Sequence, residues 1–206
     1  MPQLQLHMLR IAGVASMICD SFEKELDKNS IVSACLLHDM GSIVKFKLGL
    51  FPVLEGEKGI GYWEKVKKDY LKKYGVDDHL ATLKICKELG VNTKIINIIN
   101  NFGFSNTANI FKTKNYNFKI CVYSDMRVSP TGVTSLMTRL KEARNRYLKK
   151  QKHVYSKEYF DQLIPLWPKI EKQIFSKCLT KPQDITEEKV ELLIERLRNF
   201  DIINRF

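Results

Sequence analysis

His38 and Asp39 stand side by side at the end of an apolar run, Ile31-Val32-Ser33-Ala34-Cys35-Leu36-Leu37, and Met40-Gly41 follow them. An imidazole and a carboxylate buried there without partners would cost several kcal/mol. Both are good ligands for a divalent transition ion, which would compensate them. One pair cannot hold a catalytic ion alone, so further ligands must come from elsewhere in the chain.

Three more ionisable residues fall on stripes that otherwise read as core. His7 lies between Leu4 and Ile11, in a stripe continued by Met8, Ala15, Ile18 and Phe22. His79 precedes Leu83 and Cys86, and Asp125 follows Phe118, Cys121 and Val122. Spacings of three, four and seven residues put such sets on one helix face. A single inward histidine is usually satisfied by a core hydrogen bond. An inward aspartate is rarer and is normally paired or metal-bound. The coincidence on four separate helices favours one shared site. His153, in a basic polar stretch, reads as a surface residue.

The elements that must position these residues are helical nearly throughout. Glycines at 49, 56, 59 and 61 and Pro52 make residues 42–60 a loop. Helices are expected over about 62–74, ended by Gly75, and about 78–89, ended by Gly90. Asn92 caps a short helix. Residues 103–114 read as a polar loop, and residues 117–127 as a helix. Another helix opens near Pro130, one runs over about 157–178, and a last one starts from Thr186 with acidic residues in its first turn. No hairpin is expected. The fold class is all-α, a single helical bundle over residues 1–150 with a C-terminal helical extension, 151–206, packed on it.

The 206 residues suffice for one well-buried core. No apolar run reaches the roughly 18 residues that span a bilayer. No basic region precedes an apolar stretch at the start, so a cytoplasmic protein without secretory signal or membrane partner is expected. The five cysteines are scattered and form no CxxC pair, which reads as free thiols. The net charge of +11 points to an anionic partner. Its densest segment, Arg139–Lys150, surrounds an apolar stripe on a helix; it reads as a solvated face, with nucleic acid the lesser alternative. Oligomeric state is not encoded in any pattern of the sequence.

The segments His7-Met8-Leu9-Arg10-Ile11-Ala12, Ala34-Cys35-Leu36-Leu37-His38-Asp39-Met40-Gly41 and Tyr123-Ser124-Asp125 resemble the HD-domain superfamily of metal-dependent phosphohydrolases, in the family's order. The resemblance covers about residues 1–150 and implies that His7, His38, Asp39 and Asp125 are metal ligands. It departs from the family at Ser42, where many members carry Lys or Arg; Lys45 is the candidate for that role. His79 resembles an extra histidine of some members, which binds a second metal or contacts phosphate.

Four such ligands leave open positions on an octahedral Mn²⁺, Fe²⁺, Co²⁺ or Ni²⁺; Mg²⁺ suits two imidazoles less well. A water in an open position would be acidified to a hydroxide nucleophile, and Asp39 could orient it or shuttle a proton. An anionic substrate needs a cationic clamp, for which Arg10, Lys45 and Arg127 are the candidates. The expected activity is hydrolysis of a nucleotide or other small phosphate ester, with Asp39 and His79 as catalytic residues. The alternatives are a non-catalytic module binding a nucleotide or protein partner, and a phosphodiesterase acting on cyclic nucleotide or RNA.

Overall fold

The structure is a computed structural model and describes residues 1–49, 56–148 and 157–202. Its organising element is α1 (Pro2–Ser21), which packs against α2 (Lys28–Leu37), α7 (Tyr116–Asp125) and α11 (Glu187–Arg198). Proline at its first position costs nothing, because that N–H has no partner inside a helix. From Leu9 to Ile18 the helix is buried almost all round, whereas residues 1–8 are at most half-buried. His7 therefore sits where the core helix emerges from the core.

α2 is capped by Asp27, whose carboxylate accepts from the Ser30 N–H (3.1 Å). A 3₁₀ turn, Ser42–Lys45, follows the HD pair. α3 (Gly59–Tyr74) lies over that turn and over α4 (Asp78–Glu88). Trp63, Val66, Tyr70, Leu71 and Tyr74 cover a small satellite core of Ile43, Val44 and Ala81. Tyr62, by contrast, is exposed. α5 (Thr93–Asn100) is capped by Asn92 as the sequence predicts, with Ile95, Ile98 and Ile99 buried against α2.

The all-helical reading holds, with three local corrections. Within residues 103–114 a helix, α6 (Thr107–Lys112), forms where a loop was expected. Its two apolar anchors, buried Ile110 and half-buried Phe111, are too few to show helical periodicity among polar neighbours. The helix expected near Pro130 begins only at Leu136 (α8, Leu136–Leu148). Before it, β1 (Val128–Ser129) and β2 (Gly132–Val133) pair antiparallel around Pro130-Thr131, so a hairpin does occur. The helix expected over 157–178 divides into α9 (Lys157–Leu163) and α10 (Leu166–Phe175) at Pro165, whose ring removes a backbone donor.

Trp167, Ile170 and Ile174 of α10 and Val190 and Leu197 of α11 belong to the same hydrophobic cluster as α1, α2 and α7. The C-terminal segment is thus built into the main core. The boundary drawn at 150/151, and His153, lie outside the described residues. All five cysteines are free, and burial pushes the Cys86 thiol up to about 11, so it is protonated at neutral pH. No described helix is long and apolar enough to cross a membrane.

Candidate metal centre

His38 caps the C-terminus of α2 in helical conformation, so Asp39 leaves on the turn that follows. His38 is buried, and Phe102 stacks on its ring at 4.6 Å. Its Nδ1 lies 2.8 Å from the Cys35 carbonyl oxygen, which can only accept. That bond assigns the proton to Nδ1 and leaves the Nε2 lone pair free toward the site, the arrangement a metal-ligating histidine requires. Asp39 is fixed at one oxygen, since the Ser42 hydroxyl donates to Oδ1 (2.8 Å). Its Oδ2 lies 3.9 Å from His38 Nε2.

α1 delivers His7 to the same place. One ligand atom from each of His7, His38 and Asp39 lies within 4.8 Å of the others. Asp125, the last residue of α7, comes from the other side, its Oδ1 3.6 Å from His7 Nε2. That is too long for a hydrogen bond. An ion bound at about 2.0–2.2 Å would hold neighbouring ligand atoms about 3–3.5 Å apart, so the spacing suits a shared cation with modest closing of the others.

The protonation states fit as well. Burial pushes His7 below the usual imidazole value, and the Asp125 carboxylate opposes this only partly. Burial alone would raise Asp39, but His38, Lys45 and the Ser42 hydroxyl together hold it below the usual carboxylate value. A neutral imidazole and an ionised carboxylate are the forms that bind metal.

Gly41 places the next residue of interest. Its N–H donates to Thr82 Oγ1 (2.9 Å), seating the turn on the start of α4. A Cβ on Gly41 would lie 2.5 Å from both the Asp78 carbonyl oxygen and the Thr82 nitrogen, so only glycine permits this approach. The seating brings Lys45 Nζ to Asp78 Oδ2 at 2.5 Å. Burial would lower the Lys45 pKa, but Asp39 and Asp78, with a smaller contribution from Asp125, raise it. Lys45 is thus a charged amine beside the cluster, and Ser42 holds Asp39.

His79 lies half-buried beside Asp78 in the first turn of α4, outside the mutual 4.8 Å of the cluster. Arg10 and Arg127 are engaged within the protein. Arg10 pairs with Glu187 of α11, its Nε donating to Oε1 at 2.6 Å. Arg127 is buried and donates to the carbonyls of Thr134, Pro182 and Ile185 and to the Tyr123 hydroxyl. In the basic helix α8, Arg139 and Arg146 share Glu142, at 3.3 and 3.4 Å, and Arg144 pairs with Asp161. Arg146 also feels the charge of Asp125. Sequence reading missed Ser42, Arg146 and Glu187. Only Ser42, three residues after an aspartate, carried a local signal for its bond.

A family profile described as HD domain matches residues 5–102, and no curated protein or solved structure matches the chain. The matched span contains His7, His38, Asp39, Lys45 and His79 and stops short of Asp125. Residues 5–102, which carry the cluster of two histidines and an aspartate, are thus an HD domain.

Proposed function

We propose that the protein is a metal-dependent phosphohydrolase acting on a nucleotide or another small phosphate ester. The observation that carries this reading is the convergence of His7, His38 and Asp39 with the His38 tautomer pinned toward the site. These three, with Asp125 as the fourth ligand, would hold a divalent transition ion, with Mn²⁺, Fe²⁺, Co²⁺ or Ni²⁺ favoured over Mg²⁺. When bound, such an ion polarises a phosphoryl oxygen and acidifies water.

The chain supplies the rest. Asp39, anchored by Ser42, aims its second oxygen into the site, where it orients the attacking water and accepts its proton. Lys45 binds the non-bridging oxygens of the substrate, exchanging its contact with Asp78 for phosphate. Arg146, half-exposed and held by Glu142, is a second candidate cation. His79, next to Asp78, meets the substrate phosphate. The pairing of Arg139, Arg144 and Arg146 with carboxylates supports a small substrate over a polynucleotide, because paired guanidinia release few counterions.

The test is metal analysis of the purified chain, then a screen of nucleotides and phosphate esters with Mn²⁺, Co²⁺ or Ni²⁺ added. Metal-dependent phosphate release from one of them is the expected result. A chain that binds no divalent ion would end this reading. If metal binds and His79→Ala leaves kcat and KM unchanged on the best substrate, His79 is structural.

A further inference from the structure

α1 is only half-buried at His7, and Asp125 is the last residue of its helix. Both ligands therefore need holding from outside their own elements. One side chain reaches both supports. Glu187 opens α11, and its Oε1 accepts from Arg10 Nε (2.6 Å), with Nη2 also in contact. Arg10 is one turn beyond His7 on α1, close to the same face. The other oxygen, Oε2, accepts from the backbone N–H of Val133 (2.6 Å) in β2.

β2 pairs with β1, and β1 begins three residues after Asp125. One carboxylate thus ties the helix that carries His7 to the hairpin that follows Asp125. The contact is built for that group. Gly132 has φ +137, and a Cβ there would lie 2.9 Å from Glu187 Oε2, so the carboxylate occupies the space of the missing side chain. Arg10 and Glu187 are both mostly buried, at 14% and 24% side-chain exposure. The start of β1 is held as well, by Arg139 Nε donating to the Val128 carbonyl (2.9 Å).

We propose that Glu187, far beyond the family-matched span, is a positioning residue of the metal centre: through Arg10 and Val133 it fixes the distance between His7 and Asp125. The inference rests on the reading of His7 and Asp125 as ligands. It assigns the C-terminal segment a part in the site, as the clasp that closes a cluster supplied by α1, α2 and α7.

The test is Mn²⁺ titration of the metal-stripped full chain by calorimetry, with thermal unfolding of each variant alongside. Glu187→Gln keeps the shape and removes the charge. Glu188→Gln makes the same charge change one residue on, where no contact with Arg10 exists. We expect Glu187→Gln to bind Mn²⁺ about 10–100-fold more weakly, the usual cost of losing a partner that orients ligands, and Glu188→Gln to match the wild type. The double variant Arg10→Gln, Glu187→Gln removes both charges together, leaving none buried alone. It should fold and show the same weakened binding. Affinity within twofold of wild type in Glu187→Gln or the double variant overturns the proposal. Failure of both to fold also overturns it, since the clasp would then serve stability alone. If the wild type itself binds no Mn²⁺, the metal reading falls and takes this inference with it.

Discussion

The last turn of α7 separates two polar regions that obey opposite rules. Toward α1 and α2 it presents Asp125 to His7, beside a cluster whose ligand atoms are near one another but not bonded to one another. Toward the C-terminal segment it presents Tyr123 and Arg127. Arg127 donates to three carbonyls and to the Tyr123 hydroxyl, which donates in turn to Glu171 Oε2 (2.6 Å). Burial and the Glu171 carboxylate push the Tyr123 phenol well above its ordinary value, so it remains a donor. In the second region Arg127 and Tyr123 find their partners within the protein, as a structural network requires. In the first, lone pairs converge and remain available. Buried polarity alone does not mark a site; unspent bonding capacity does.

The contrast is broken most directly at its two centres. Asp39→Ala should lose bound metal and Mn²⁺-dependent phosphatase activity together, with activity falling to background, while the melting temperature stays near that of the metal-stripped wild type. Metal analysis and a phosphate-release assay on the same preparation check this, and retained metal with lost activity would confine Asp39 to proton transfer. Arg127→Met should do the reverse. It strands three carbonyls, so a stability loss of about 3 kcal/mol or more is expected in urea unfolding. Metal content per folded molecule should be unchanged.

The two regions also differed in how far they could be read from sequence. His7, His38 and Asp125 each sit among apolar residues at helical spacing, so an ionisable group on a core stripe stood out. Asp39 was legible as the partner of His38. Arg127 carried no such mark, because two of its carbonyl partners, Pro182 and Ile185, lie 55 and 58 positions away, which no local pattern encodes. Arg10 was misleading for a related reason. Its place one turn from His7 is what a substrate clamp would have, and only the return of α11 to α1 shows Glu187 occupying it. The hairpin at 128–133 escaped because two-residue strands are too short to alternate.

A middle-sized effect separates cations with spare capacity from those without. Lys45 contacts Asp78 with its side chain about half exposed, and its loss should leave the fold intact. Lys45→Gln is expected to raise KM on the best substrate about tenfold, roughly 1.4 kcal/mol of binding, with a smaller change in kcat. An unchanged KM would move the clamp to Arg146, where Arg146→Gln should then show the same rise.

The smallest effect concerns the cation that most resembles Arg127. Lys119 is buried, and its amine donates to the Ile110 and Phe111 carbonyls at the end of α6 (2.8 and 2.9 Å) and to Gln173 Oε1 of α10 (2.6 Å). Burial lowers its pKa from the ordinary 10.5. The unfolded chain therefore binds more protons than the native state between the native value and 10.5, and stability linked to this group rises with pH across that window. Lys119→Met removes the three bonds and the proton. At pH 7 it should cost about 1 kcal/mol, since the lost bonds are offset in part by no longer burying a charged amine. The difference between wild type and variant should widen as the pH is taken through the window below 10.5. Urea unfolding of both proteins at pH 7 and near pH 10 measures it, and a difference that narrows toward high pH would mean that the native state holds this proton more tightly than the unfolded chain does.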